Sequence, residues 1–151
     1  MSSTSGAERE RQFVDSNLLV YSFDSTAGEK REKAMAFLAE LWNRREGCVS
    51  LQVLQEFFVS VTTKLRNPLT PKEGAEQVSR FAEWDVHEPG RGDLVAAIDL
   101  QQRLRVSFWD AMIIQSARQM RCGILWTEDL SDRQYYAGVQ VRNPFVDSVM
   151  E

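Results

Sequence analysis

The sequence predicts a single α/β domain, because short apolar segments typical of buried strands are followed directly by helical patterns. Two such strand-to-helix turns lie at residues 13–22 and 47–65, and a third apolar segment, 123–126, leads into an acidic loop. The chain has 151 residues, 43% of them hydrophobic, which is enough to form one core. We expect residues 1–11 to form a flexible polar tail and residues 12–147 to form the domain.

Charge and cysteine content exclude several classes of protein. Lys and Arg total 18 and Asp and Glu total 22, so the net charge of -4 argues against a general nucleic-acid-binding surface. A polyanionic substrate then has to be held locally, by a metal ion or a small basic rim. Cys48 and Cys122 have no Cys-x-x-Cys or Cys/His spacing, which argues against zinc and a disulfide scaffold. No apolar segment is long enough to span a bilayer, and we expect a cytoplasmic protein.

The first strand-to-helix turn places an acid where α/β proteins bind their ligands. Phe13 and Val14 have the character of a strand end, and Leu18 and Leu19 open a helix, which puts Asp15 at the carboxyl end of the strand. Ligands of open α/β sheets collect outside these carboxyl ends. Asp15 is therefore either an active-site acid or only the cap of the helix, and this residue alone favours neither interpretation.

The next elements repeat the pattern. Residues 29–45 have the apolar spacing of a long amphipathic helix, which we expect to end before Gly47. Residues 47–50 form a brief strand that runs into Ser50 as the N-cap of a helix from 51 to about 65. The stripe on this helix has seven apolar members: Leu51, Leu54, Phe58, Val61 and Leu65, widened by Val53 and Phe57.

Glu56 lies at the edge of that stripe. At roughly 100° per residue it is about 60° from Val53, so its carboxylate can reach a crevice beside the buried face. The alternative is a solvated glutamate on a surface helix.

The middle of the chain supplies one further acid. Thr70 and Pro71 predict a helix start, residues 84–86 a short edge strand, and His87, the only histidine, a loop. A helix over 91–105 follows. Ser107 and Asp110 have the serine-x-x-acid spacing that opens a helix, here one buried on most faces. Asp110 is a capping acid, but from a first turn it can also direct an oxygen at a cation.

The last acids follow the clearest strand, residues 123–126. Thr127, Glu128 and Asp129 come directly after it, and Asp132 follows in the same loop. Residues 139–141 form a final short strand, and residues 143–145 end the fold.

Asp15, Glu56, Asp110 and Asp129 can all face one crevice. Four gathered carboxylates repel one another unless a cation neutralises them, and oxygen ligands without histidine or thiolate suit Mg²⁺ or Mn²⁺. Such ions lower the pKa of bound water and stabilise displacement at phosphorus. The sequence thus predicts metal-dependent phosphodiester chemistry.

Five segments carry these acids or end the fold. They are Phe13-Val14-Asp15-Ser16-Asn17-Leu18-Leu19-Val20-Tyr21, Gln55-Glu56-Phe57, Ser107-Phe108-Trp109-Asp110-Ala111, Leu125-Trp126-Thr127-Glu128-Asp129-Leu130 and Val141-Arg142-Asn143-Pro144-Phe145. Together they resemble a PIN-domain ribonuclease of the VapC toxin type, over residues 12 to about 145. The resemblance implies a parallel five-stranded sheet between helices in three layers, RNA cleavage dependent on Mg²⁺ or Mn²⁺, a homodimer, and an inhibitory antitoxin whose tail enters the active-site groove.

The resemblance also assigns residues. It makes Asp15, Glu56 and Asp110 the core metal-binding acids, with Asp129 as the fourth. Thr127 is the hydroxyl that accompanies the fourth acid, and Asn17 steadies the first. Glu128 or Asp132 replaces Asp129 if that side chain points outward.

Two other functions compete with that of a ribonuclease. A catalytically silent module could use the acidic groove to hold a basic partner peptide, although it would not need all four acids. A phosphatase with an aspartyl nucleophile needs an acid two residues after the first, where Asn17 stands. Six basic residues are either an RNA-holding rim or ordinary solvated charges: Lys64, Arg66, Arg103, Arg105, Arg118 and Arg121.

Overall fold

The computed structural model describes residues 10–146, which form a six-stranded sheet with helices packed against it. The strands are β1 (Gln12–Val14), β2 (Gly47–Ser50), β3 (Asp85–His87), β4 (Ile124–Trp126), β5 (Tyr135–Tyr136) and β6 (Val139–Arg142). Their order is β3-β2-β1-β4-β6-β5. The five strands β3, β2, β1, β4 and β6 are parallel, as predicted, whereas the two-residue β5 pairs antiparallel with β6 and was not predicted.

Six α-helices occur in the same part of the chain. They are α1 (Ser16–Tyr21), α2 (Glu29–Arg44), α3 (Leu51–Val59), α4 (Pro71–Phe81), α5 (Arg91–Leu104) and α6 (Phe108–Gln119), and α3 continues into a π-helical segment, Ser60–Lys64. Within residues 10–146, none of these helices combines the length and apolar character needed to cross a membrane.

The structure covers nearly all of the domain expected at residues 12–147. Most of the predicted tail, residues 1–9, and residue 147 are outside the described residues. Arg11, placed in the tail from sequence, donates from Nε to the Met120 carbonyl at 2.6 Å and from Nη1 to Asp85 at 2.8 Å. Arg11 therefore contacts the folded core just before β1 begins.

Predicted helix starts are observed at three polar caps. The Ser50 hydroxyl accepts from the Val53 amide, the Ser107 hydroxyl accepts from the Asp110 amide, and Thr70 forms a reciprocal capping box with its helix. Each cap satisfies an amide that would otherwise lack a partner at the start of a helix.

The end of α2 agrees with the prediction. Arg45, with φ of 57°, adopts the left-handed conformation that ends the helix before Gly47, and Gly47 begins β2. A side chain at Gly47 would come within 2.6 Å of the Trp84 ring. Glycine is therefore required at this position by a close approach and not by a helix terminus.

The buried stripe of α3 differs from the prediction. Val53, Leu54, Phe57 and Val61 are buried, whereas Leu51 is 43% exposed. The helix is rotated toward Val53 and Phe57, which are one helical turn apart. This rotation brings the neighbouring Glu56 toward the sheet edge, where its carboxylate contacts α1.

His87 is the last residue of β3 and not a loop residue. Its Nδ1 is hydrogen-bonded to the Ser116 hydroxyl at 2.9 Å, and its Nε2 lies 3.4 Å from Asp93 Oδ2. These contacts join β3 to α5 and α6, so the side chain has a structural role.

The sheet register determines where the site forms. Phe13 pairs with Leu125 and Val14 with Trp126, so β1 and β4 end side by side at the centre of the sheet. Both central strands contribute fully buried residues to the core. The residues that follow them are therefore neighbours at the carboxyl edge, which is the position expected for a ligand site.

Candidate active site at the carboxyl edge of the sheet

Asp15 caps α1 and also lies at the centre of an acidic site. Its Oδ1 accepts from the Ser16 amide at 2.7 Å, and its Oδ2 accepts from the Thr127 hydroxyl at 2.8 Å. The Asp15 amide donates to the Trp126 carbonyl, which ties the residue to the end of β4. The residue is 5% exposed. The two interpretations left open by the sequence are thus compatible, because capping fixes the carboxylate at the strand end.

Burial raises the pKa of Asp15 to about 7. The hydrogen bonds from Thr127 and Ser16 lower it, whereas the negative charges of Asp129 and Glu56 raise it further. Near neutral pH a substantial fraction of Asp15 therefore carries a proton when no cation is bound. A cation at this position would favour the ionised form.

Glu56 reaches the same edge from α3. Its Oε1 accepts from the Ser16 hydroxyl at 3.0 Å, and its Oε2 accepts from the Gln52 amide group at 3.1 Å. Sequence reasoning missed both partners. Gln52 stands four residues before Glu56 on one helix, a spacing that brings side chains together, and Ser16 directly follows the first acid.

Asp110 enters from the first turn of α6. Burial and the charge of Glu56 raise its pKa, whereas a hydrogen bond with the Ser107 hydroxyl lowers it. Asp110 thus belongs to the helix cap and lies within electrostatic range of a carboxylate from another helix.

Asp129 reaches the edge from the loop after β4. The Asn17 side-chain amide donates to its Oδ2 at 3.1 Å, and its own backbone amide donates to the Thr127 hydroxyl at 3.0 Å. Burial raises its pKa, followed by the charges of Asp110 and Glu128. Thr127 therefore connects Asp129 to Asp15 by two hydrogen bonds through a single hydroxyl.

Asn17 has a different role from the one the resemblance implied. It contacts Asp129 through its amide group, whereas the hydrogen bonds to Asp15 come from Ser16 and Thr127. The buried Oδ1 of Asn17 has no hydrogen-bond partner among the described residues. An oxygen without a donor beside carboxylates is suited to a cation or a bound water.

The other two acids of this loop have partners of their own. Glu128 accepts from the Tyr21 hydroxyl at 2.7 Å and forms an ion pair with Lys30. Asp132 accepts from the Asn143 amide at 2.8 Å. Both side chains connect the loop to neighbouring segments.

The structure places Asp15, Glu56, Asp110 and Asp129 within mutual electrostatic influence. Asp15 is affected by Glu56 and Asp129, Asp110 by Glu56, and Asp129 by Asp110. In the part of the chain that the structure describes, however, no group of three His, Cys, Asp or Glu side chains is arranged to hold a metal ion. Side chains of α1 and α3 hold Glu56 and Asp129, whereas the Ser16 backbone amide and the Thr127 hydroxyl hold Asp15.

Comparison with known proteins provides the family. The family model described as "PIN domain" matches residues 13–136. A search of curated proteins found no match. Among solved structures, a chain of a toxin–antitoxin complex from Klebsiella pneumoniae is 24% identical, with a TM-score of 0.63 and coverage of 89% of this chain and 98% of that chain.

Two further solved structures share the fold at lower identity. DNA-bound VapBC from Salmonella typhimurium is 16% identical, with a TM-score of 0.63 and coverage of 89% and 98% of the two chains. The sarcin-ricin loop cleaving toxin VapC20 from Mycobacterium tuberculosis is 16% identical, with a TM-score of 0.57 and coverage of 76% and 86%. Because the family match spans most of the sequence, this chain belongs to the PIN-domain family.

Proposed function

We propose that this protein is a metal-dependent endoribonuclease that hydrolyses RNA phosphodiester bonds, and that it is the toxin of a toxin–antitoxin pair. The observation that carries the proposal is the convergence of four acids from four separate segments on one edge of the sheet. Burial, and to a smaller extent the negative charges of neighbouring acids, raises the pKa values of Asp15, Asp110 and Asp129. Perturbed carboxylates in a strand-end crevice are typical of functional sites.

The donor set fits a hard divalent cation such as Mg²⁺ or Mn²⁺. Asp15, Glu56, Asp110 and Asp129 offer only oxygen atoms, and the partnerless Oδ1 of Asn17 is an additional oxygen at the same place. When bound, the ion would activate a water molecule and stabilise charge developing at the scissile phosphate.

The surrounding side chains orient the acids. Thr127 and the Ser16 amide hold Asp15, while Gln52 and the Ser16 hydroxyl hold Glu56. All four donors are neutral, so they position the carboxylates without cancelling their charge. Asp129 is the proposed fourth acid because Glu128 is paired with Tyr21 and Lys30 and Asp132 accepts from the Asn143 amide.

The proposed partners follow from the comparisons. Similar structures include toxin–antitoxin complexes, one of them bound to DNA, and an RNA-cleaving toxin. We therefore propose RNA as the substrate and a cognate antitoxin as the inhibitor. The homodimer that the family resemblance implies is the proposed assembly.

The deciding experiment compares RNA cleavage by the wild type and Asp15→Asn, each purified away from bound partners, with Mg²⁺, with Mn²⁺ and with EDTA. A metal contributes several kcal/mol to such a transition state, so we expect the variant to lose roughly 10³-fold or more in rate. Asp99→Asn, which alters an exposed acid paired with Arg103, is the matched control and should cleave like the wild type.

The same proteins are titrated with Mn²⁺ while thermal stability is followed. The wild type should be stabilised by the metal and Asp15→Asn much less. Equal RNA cleavage by both proteins would refute the proposal.

A second candidate function is supported by one observation. Because no three acids in the described residues are arranged to hold an ion, the edge could be a non-catalytic groove for a basic peptide. A peptide-binding groove predicts negligible stabilisation by Mn²⁺ and normal binding of the partner peptide after Glu56→Gln. The metal titration therefore separates the two candidates even if the RNA specificity is narrow.

A further inference from the structure

Trp109 is a large apolar side chain on the surface. It is 62% exposed, whereas Trp84 is buried and Trp42 and Trp126 are partly buried. A single exposed apolar residue is common on soluble proteins and needs no explanation by itself. The position of this indole is what makes it informative.

Trp109 stands at the rim of the acidic edge. It directly precedes Asp110, and its carbonyl oxygen accepts from the Gln52 side-chain amide at 3.4 Å. The same amide group donates to Glu56 at 3.1 Å. One side chain thus links the Trp109 backbone to a second proposed catalytic acid, so the residue that carries the exposed indole is connected to two of the four acids.

The indole also rests on a fixed support. The ring of Phe108, which packs against the hydrophobic core, meets the Trp109 ring edge-on at 4.9 Å between centroids and 74° between planes. A ring that is already supported loses less conformational entropy when it binds a flat ligand.

Charge determines what this surface can contribute to RNA binding. Four acids and a net charge of -4 repel phosphates, so attraction has to come partly from groups that do not depend on charge. Stacking of a base on an exposed aromatic ring is such a contribution, and it increases affinity by a factor of roughly 5 to 100 per base. Only an unpaired base offers a free face for stacking.

We propose that Trp109 is a stacking platform for an unpaired base next to the scissile phosphate, so that the site selects single-stranded or looped RNA. This inference rests on the proposed ribonuclease function and deepens it. RNA is favoured over a protein partner because the Trp109 backbone is connected to Asp110 in the chain and to Glu56 through Gln52, which places the residue at the proposed catalytic site.

The test measures binding of a short unstructured RNA in the Asp15→Asn background, so that the RNA is not cut. Adding Trp109→Ala should weaken binding roughly 5- to 100-fold, whereas Trp109→Phe should keep part of the affinity. Quenching of indole emission by the RNA should disappear in both. Tyr135→Ala, which removes an aromatic side chain 65% exposed on the edge strand β5, is the control and should bind normally.

A duplex of the same length separates stacking from general damage to the site. We expect Trp109→Ala to leave duplex binding unchanged. Equal losses for duplex and unpaired RNA, unchanged binding of unpaired RNA, or an altered mass of the variant in sedimentation would each overturn the inference; the last would indicate a protein interface.

Cleavage by the wild type with metal tests the proposed function separately. Metal-dependent cutting together with normal RNA binding by the Trp109→Ala variant refutes only the stacking role. If the wild type neither cuts nor binds RNA, the proposed function and the stacking role are both refuted.

Discussion

Glu128 and Asp129 are adjacent in the chain but have opposite surroundings. Glu128 is compensated by the Lys30 ammonium and the Tyr21 hydroxyl. Asp129 accepts one hydrogen bond from the Asn17 amide and lies within range of the Asp110 charge. Among residues 10–146, Asp129 makes no ion pair. The loop after β4 thus directs Glu128 toward α1 and α2 and leaves Asp129 at the acidic edge of the sheet.

The same contrast separates the acids of the whole molecule. Asp85, Asp93, Asp99 and Glu40 each lie beside an arginine or histidine, whereas none of the four edge acids has a basic partner in the described residues. Acids whose charge is compensated serve the fold. Acids left uncompensated destabilise it, and a cation from solution would remove that cost.

The largest expected effect is on stability without metal. Burial raises the pKa of Asp15 from 3.8 to about 7, so between these values the folded protein binds a proton that the unfolded chain does not. Stability should therefore rise as pH falls through this window, and the penalty should be fully present above pH 7. The difference corresponds to about 4 kcal/mol in the free energy of unfolding.

Urea unfolding in EDTA at pH 8 and pH 5 checks this expectation. Asp15→Asn has no charge to bury, so it should be more stable than the wild type at pH 8, with a much smaller advantage at pH 5. A variant less stable than the wild type at pH 8, or a difference that does not depend on pH, would show that the Asp15 carboxylate is stabilised in its charged form and does not carry this penalty.

Separate substitutions of Glu128 and Asp129 test whether the two acids have the different roles that their surroundings indicate. Loss of a residue that only supports a metal ligand lowers metal affinity roughly 10- to 100-fold. Asp129→Asn removes a proposed ligand itself, so it should lower Mn²⁺ affinity by at least as much. Glu128→Gln should leave that affinity close to wild type and instead lower the free energy of unfolding by at most about 1 kcal/mol, because the Lys30 side chain is 44% exposed.

Metal affinity is measured by calorimetric titration and stability by urea unfolding on the same preparations. If Glu128→Gln loses the metal and Asp129→Asn retains it, the assignment of the fourth acid is reversed.

The sequence was sufficient to predict the elements that depend on local signals. The positions of five strands, the caps at Ser50, Thr70 and Ser107, and the strand-end position of Asp15 all follow from residues close together in the chain. The family resemblance then predicted the fold as a whole, and the family match confirms it.

Features that depend on distant contacts were not predictable in this way. The rotation of α3 toward Val53 and Phe57 depends on how that helix packs, and Gly47 is required by the Trp84 ring, which is 37 residues away in sequence. His87 had no local pattern that indicated its contact with Ser116.

The candidate site shows the same limit. Its four acids were selected from sequence, but the loop contained three acids, and their side-chain partners were needed to separate them. Tyr21 and Lys30 lie about a hundred residues before Glu128. No local sequence pattern therefore indicates that these two side chains compensate its charge. The role of Asn17 was transferred by resemblance, and its actual contact is with Asp129.

The basic side chains also divide into those paired with an acid and those without an ion-pair partner among the described residues. Removing one of the latter is expected to have the smallest effect. Lys30 compensates Glu128 and Arg103 is paired with Asp99, whereas Lys64 makes no ion pair with any described residue. Lys64 and Glu56 line the same hollow, about 240 Å³ in volume, so this ammonium is free to hold a phosphate beside a proposed catalytic acid. We expect Lys64→Ala to weaken RNA binding and to reduce the slope of log affinity against log salt by about 0.7, the value for one phosphate contact on a single strand.

Binding across a salt series with Lys64→Ala and Arg103→Ala tests this expectation. Arg103 is an exposed cation already neutralised by a neighbour on its own helix, so its removal should leave the slope unchanged. Equal slopes for the wild type and both variants would mean that Lys64 is an ordinary solvated charge. A reduced slope for both would mean that pairing with an acid does not prevent a cation of this protein from contacting RNA, and the distinction between compensated and free charges would then hold for the acids alone.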